Sequence, residues 1–168
     1  VPPMPPEIES RTVQRTLKLK QQYPNPIVLF LGRLVGYKGL PYLIEAMRTL
    51  KATLLIAGEG PLKQRLQTLA FRLGVDSRIH FLDSVAEEEK YALYRAADVT
   101  VLPSISRNEA FGYVLLEAMQ QGCPVISTDL PTGMRIVNQD GESGFVVPPG
   151  DSQALAKSIE KIVGDRAL

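Results

Sequence analysis

From Pro26 onward, short apolar runs alternate with stretches in which apolar residues recur every three or four positions. The run IVLFL over residues 27–31 is short and β-rich, as a strand buried on both faces should be. A glycine-bearing loop, GRLVGYKG, follows it, and then Leu40, Leu43, Ile44 and Met47 repeat at helical spacing. TLLIA over residues 53–57 reads as a second buried strand. After the loop GEGP, Leu62, Leu66, Leu69, Ala70 and Leu73 line one face of a helix, with Pro61 in its first turn and Gly74 at its end. A third strand is expected over residues 79–82, and a helix over 86–97 opens on Glu87, Glu88 and Glu89, where the helix dipole favours anions.

The pattern continues with a strand over residues 98–103, a polar loop, SISRNEA, and a helix over 111–121. Phe111, Val114, Leu115, Ala118 and Met119 form the apolar stripe of that helix. PVIST is a fifth strand and residues 133–138 a short helix. GFVVPPGD reads as an edge strand stopped by Pro148 and Pro149. A last amphipathic helix carries Leu155, Ile159, Ile162 and Val163. Repeated strand–helix units predict an α/β fold, a Rossmann-like parallel sheet with helices on both faces. Such sheets bind ligands beyond the carboxyl ends of their strands, and the polar residues Arg33, Lys38, Asp83 and Glu109 all fall on the loops expected there.

Residues 1–25 break the alternation. Their start, VPPMPPEIES, is proline-rich and predicts an extended interdomain linker rather than a packed element. With Val rather than Met at position 1, the expectation is an upstream domain joined through this linker to a domain over residues 26–168.

Composition narrows the classes. The chain has 168 residues, one domain of ordinary size, and 45% are hydrophobic, enough for a core. Lys and Arg number 19 against 18 Asp and Glu, so there is no basic excess of the kind a nucleic-acid partner requires. A single cysteine, Cys123, cannot form an internal disulfide and reads as a buried thiol in a reducing, cytoplasmic compartment. No apolar run approaches the ~18 residues of a membrane span. The lone histidine, His80, reads as a core or strand-face residue, and no Cys/His cluster suggests a metal.

Two loops carry candidate chemistry. Arg33 and Lys38 flank a loop with Gly32, Gly36 and Gly39, where glycine permits close backbone approach and the cations can neutralise a diphosphate; two solvated side chains on a surface loop is the competing reading. Glu109 and Glu117 have seven residues between them, so eight helical steps would separate them by ~12 Å along a helix. That is too far for one acid–base pair acting on a single glycosidic bond, which needs ~5–10 Å. It suits an elongated ligand with hydroxyls at both ends, gripped around a helix N-terminus with free N–H groups, where Gly112 leaves room for the ligand. An exposed helix position is the plain alternative for Glu117, which lies off the apolar stripe.

The run NEAFGYVLLEAMQQGCPVIST resembles the signature of glycosyltransferase family 4, the group 1 glycosyl transferases, with its two glutamates seven residues apart. LGRLVGYKGL, LLIAGEGPL, ADVTVLPS and DGESGFVVPPGD match in the same order, so the resemblance covers Ile27 to the C-terminus. It implies the C-terminal, donor-binding half of a GT-B enzyme, which has two Rossmann-like domains with the active site between them. It implies a UDP- or GDP-sugar donor, no metal, and retention of configuration. By matching position, Arg33 and Lys38 would bind the diphosphate and stabilise the leaving group, with Gly32 beside them. Glu109 would hydrogen-bond the transferred sugar; together these are the expected catalytic residues. Phe111, Gly112, Tyr113 and Val114 would face sugar and phosphate through the start of the helix. Glu117 would hold the ribose, and the loop at Leu82 and Asp83 the base. The acceptor-binding N-terminal domain is then missing, so this chain alone is expected to be inactive. Relatives build polysaccharides and glycolipids at the inner face of the membrane, which implies peripheral membrane association of the intact enzyme.

Two rivals stand beside this reading. Gly58-Glu59-Gly60 after a strand starts a Gly-x-Gly-x-x-Gly fingerprint of an NAD(P)-binding oxidoreductase domain, but Lys63 occupies the third glycine position. A non-catalytic nucleotide-sugar-binding module is the other; the presence of Arg33, Lys38, Glu109 and Glu117 argues against it.

Overall fold

A computed structural model describes residues 6–24 and 26–165. The elements are α1 (Pro6–Gln22), β1 (Ile27–Leu31), α2 (Leu40–Ala46), β2 (Thr53–Ala57), α3 (Lys63–Arg72), β3 (Ile79–Asp83), α4 (Glu87–Ala96), β4 (Val99–Leu102), α5 (Tyr113–Gln120), β5 (Val125–Thr128), α6 (Met134–Val137), β6 (Phe145–Val147) and α7 (Ser152–Asp165). The six strands form one parallel sheet in the order β3-β2-β1-β4-β5-β6. Every residue of β1, β2, β4 and β5 is buried, which is why these strands read as unbroken apolar runs rather than alternating ones. β6 lies at one edge, as its following prolines require. Helices α2, α3 and α7 pack together as one layer, and α1, α4 and α5 as the other.

The strand order decides where a ligand can sit. After β1 the chain winds outward through β2 and β3, then returns to β4 on the other side of β1. The loops leaving β1 and β4 therefore start side by side at the carboxyl ends of neighbouring strands and lead into helices of opposite layers, the switch point of a doubly wound sheet.

The N-terminal expectation is corrected. Residues 1–5 lie outside the described residues, but Pro6–Gln22 is a 17-residue helix, not an extended linker. Proline is compatible with the first turn of a helix, and Glu7 and Glu9 then sit at its favourable anionic end. α1 docks along α4: Leu19 is fully buried, and Tyr23 just beyond α1 packs its ring 4.9 Å from that of His80 on β3. Arg95 on α4 takes both carboxylate oxygens of Glu9, at 2.6 and 3.0 Å, and donates to Gln121 Oε1 at 2.8 Å. The Arg95 contact holds the Glu9 carboxyl below its ordinary pKa. His80 is thus a half-buried strand-face residue.

Candidate functional site at the sheet switch point

The loop after β1 is pinned from both sides. Leu34 donates its N–H to Glu59 O at 2.8 Å and accepts from Leu62 N at 3.2 Å, tying this loop to the one after β2. A Cβ at Gly58 would lie 2.0 Å from Gly32 O, and one at Gly60 2.4 Å from Leu34 O. The Gly-Glu-Gly motif therefore serves loop-to-loop packing, which accounts for both glycines without a dinucleotide. On the other side, Gly39 adopts a left-handed conformation (φ 68°) and approaches Pro103 so closely that a Cβ would be 1.9 Å from its carbonyl oxygen. Ile105 N donates to Tyr37 O at 2.8 Å. The loops after β1 and β4, far apart in sequence, are joined across the switch point.

This junction turns Lys38 inward. It ends a 3-10 turn (Gly36–Lys38), is 9% exposed, and donates Nζ to Glu109 Oε2 at 2.5 Å. Ser104 Oγ donates to the same oxygen at 2.9 Å, and the Ser104 carbonyl accepts from Thr128 Oγ1 at 2.5 Å. Glu109 is itself 8% exposed, yet both of its bonds end on Oε2. No buried side-chain oxygen or nitrogen among the described residues lacks a partner, so the unbonded Oε1 is reached by solvent. Arg33, on the same loop as Lys38, is exposed, and its side chain has no hydrogen bond or ion pair among the described residues. The site thus combines a compensated buried pair, a spare carboxylate oxygen and a free guanidinium.

Beyond Glu109 the chain enters α5 differently from the expectation. The helix starts at Tyr113, not 111, because Gly112 takes a left-handed conformation (φ 75°) that breaks the turn. No side chain caps this end. Gly112 is small for an internal reason: a Cβ there would press on Leu102 at 3.1 Å, Leu115 at 3.2 Å and Met134 at 3.4 Å. The helical-rise estimate between Glu109 and Glu117 holds only from Tyr113 on. Phe111 lies against Gly133, where a Cβ would be 2.5 Å from its ring, and its ring centre is 5.0 Å from that of exposed Tyr113, tilted by 43°. Val114 is half-buried behind them.

Glu117 is half-buried rather than exposed, and its Oε2 accepts from the Tyr94 hydroxyl of α4 at 2.8 Å. Burial, then that bond, pushes the Tyr94 phenol well above its ordinary pKa. Leu82 and Asp83 are not brought to the pair. They end the edge strand β3, two strands from β1, which is ~10 Å across the sheet. Leu82 packs partly on the core, and Asp83 holds φ 56° and an ion pair with Lys63. Ser104 and Tyr94 join the site without being among the residues that the sequence points to. Ser104 stands inside the quoted loop SISRNEA, whereas nothing in the chain signals that Tyr94 meets Glu117.

Among the described residues, no group of three or more His, Cys, Asp or Glu could hold a metal ion, and no helix is long and apolar enough to cross a membrane.

Residues 15–168 match the family model described as glycosyl transferases group 1. The chain is 36% identical over 149 residues to O-antigen chain mannosyltransferase C of Escherichia coli, covering 89% of this chain and 40% of that protein. It is 40% identical over 146 residues to D-rhamnosyltransferase WbpZ of Pseudomonas aeruginosa, covering 87% and 38%. Among solved structures, Anabaena HepE in complex with UDP-glucose superposes with a TM-score of 0.83 at 30% identity, covering 92% of this chain and 44% of that one. The chain spans less than half the length of these relatives.

Proposed function

This chain belongs to the group 1 glycosyl transferases, and from that premise we propose that it holds the nucleoside-diphosphate-sugar donor of a retaining GT-B enzyme. The observation that carries the reading is the Lys38–Glu109 pair at the switch point, with the unpartnered Arg33 side chain on the same loop. A crystallised relative, HepE, was solved with UDP-glucose, which supports a sugar nucleotide as the ligand.

Bond breaking between sugar and diphosphate leaves negative charge on the departing phosphate oxygen. Lys38, held by its buried bond to Glu109, and the exposed guanidinium of Arg33 supply positive charge there, beside Gly32. Glu109 meets the transferred sugar through Oε1, the oxygen that its internal bonds leave over, and accepts from a sugar hydroxyl. Its Oε2 bond to Lys38 links sugar recognition to leaving-group stabilisation through one side chain. Backbone N–H groups from Phe111 to Val114, at the uncapped start of α5, face sugar and phosphate. Glu117 takes the ribose hydroxyls, and Leu82 and Asp83 lie towards the base. The donor is a UDP- or GDP-sugar, and no metal ion is required because the cations and helix end carry the charge.

Residues 1–168 correspond to 40% of O-antigen chain mannosyltransferase C; the acceptor binds on the remainder of such an enzyme, and these residues by themselves bind donor without transferring sugar. The intact enzyme acts in the cytoplasm at the inner face of the membrane and builds a polysaccharide or glycolipid; similarity to O-antigen chain mannosyltransferase C supports a polysaccharide product. Titration of the chain with UDP, GDP, ADP and NAD, followed by calorimetry, tests the reading. Saturable binding of at least one nucleoside diphosphate, with none for NAD, is the expected result. Binding of NAD alone, or of none of the four, overturns it.

A further inference from the structure

The two glutamates that enter and follow the start of α5 are held in different ways. Glu109 is paired with a cation, whereas among the described residues the side chain of Glu117 bonds only a neutral phenol, the hydroxyl of Tyr94 at 2.8 Å. Tyr94 is among the largest fully buried side chains, 1% exposed. A phenylalanine would fill that space without burying a hydroxyl, so the oxygen needs a partner to offset its desolvation, and Glu117 provides it. Lys90 lies close enough for its charge to be felt by Glu117, but its own ion pair is made to Glu87 at 2.6 Å. Glu117 therefore has one oxygen tied down by a neutral donor and makes no ion pair of its own among the described residues.

A free glutamate side chain has several rotamers to lose when it binds a ligand. A carboxylate already fixed through Oε2 has its orientation set beforehand, with Oε1 left for a hydroxyl donor. A neutral donor performs this without the competing ion pair that a lysine or arginine would form. Resting on the reading that Glu117 takes the ribose, we propose that Tyr94 is a positioning residue that aims the Glu117 carboxylate at the ribose hydroxyls and so sets the preference for ribonucleotides over 2′-deoxyribonucleotides.

The test titrates the wild-type chain, Tyr94→Phe and Glu117→Ala with UDP, GDP and ADP and with their 2′-deoxy counterparts. Tyr94→Phe is expected to weaken the best-binding ribonucleotide about fivefold to tenfold and its deoxy counterpart less than about twofold, so that the ribose preference collapses. Thermal denaturation of the same samples reads any loss of folding separately. Equal weakening of ribo and deoxy ligands, or an unchanged ratio in Tyr94→Phe while Glu117→Ala loses the preference, overturns the positioning role alone. A ratio unchanged in Glu117→Ala overturns the ribose role of Glu117, and the inference falls with it.

Discussion

Lys38 Nζ lies 2.5 Å from Glu109 Oε2 although 71 positions separate the two residues. Each side chain is about nine-tenths buried, so neither charge is well solvated without the other. The pair exists because β1 and β4 are neighbours in the sheet, and because Gly39 and Pro103 bring their loops into backbone contact.

Removing one member of this pair should cost more than removing both. Lys38→Met leaves a buried, uncompensated carboxylate and is expected to lower unfolding free energy by about 3–5 kcal/mol. Adding Glu109→Gln should restore most of that loss. Urea denaturation of the two single variants and the double variant measures it; simple additivity would refute the coupling. In the intact enzyme, Lys38→Ala should sharply reduce turnover, and near-normal activity would remove Lys38 from the chemistry.

Two glycines on one loop should respond in opposite ways. Gly39→Ala puts a Cβ against the Pro103 carbonyl in a left-handed conformation, and a loss of more than about 2 kcal/mol is expected. A Cβ at Gly36 meets nothing within 4 Å, so Gly36→Ala should stay within about 0.5 kcal/mol of wild type. The same denaturation curves compare the two.

Arg33→Ala should separate binding from folding. The side chain is exposed and has no partner among the described residues, so stability should hold within about 0.5 kcal/mol. Loss of a charged hydrogen bond to the diphosphate should weaken nucleotide affinity by about 1.5–3 kcal/mol, roughly tenfold or more. Calorimetry at two salt concentrations checks this. Wild-type affinity would exclude Arg33 from the site.

Tyr94 predicts a pH dependence. Its phenol is held above the ordinary value of 10.0, so the folded state keeps a proton that the unfolded chain gives up. The stabilisation is therefore complete below about pH 10 and declines as pH rises, by about 1.4 kcal/mol per pH unit while the folded phenol stays protonated. Between pH 10 and 11 the stability of wild type relative to Tyr94→Phe should fall by about 1 kcal/mol. Parallel stability curves for the two proteins would show that the phenol titrates normally.

Leu19 tests whether α1 is part of the folded unit. It is 1% exposed against the rest of the core, and Leu19→Ala is expected to cost about 2–5 kcal/mol. Exposed Leu17, on the same helix, provides the comparison, with a change near zero for Leu17→Ala. Equal effects would mean that α1 contributes nothing to stability through its buried face.

The apolar runs of β1 and β2 matched the observed strands residue for residue, because a parallel strand covered on both faces has no polar position to blur its ends. Repeated strand–helix units were enough to predict the parallel sheet, and the motif order to predict the family. The helix in residues 6–22 was hidden because prolines before it mask a pattern in which most of the surface is polar and only a few residues, such as Leu19 and Thr12, are buried. The start of α5 was misread for a related reason: Phe111 fits the apolar stripe, but stripe periodicity carries no φ value, and Gly112 interrupts the helix.

Local spacing thus determined which residues could form strands, helices and loops, since those depend on neighbours a few positions away. The meeting of Lys38 with Glu109, and of Tyr94 with Glu117, depended on strand order and on helix layering. Contacts of that range are products of chain closure, and only the folded sheet brings them within hydrogen-bonding distance.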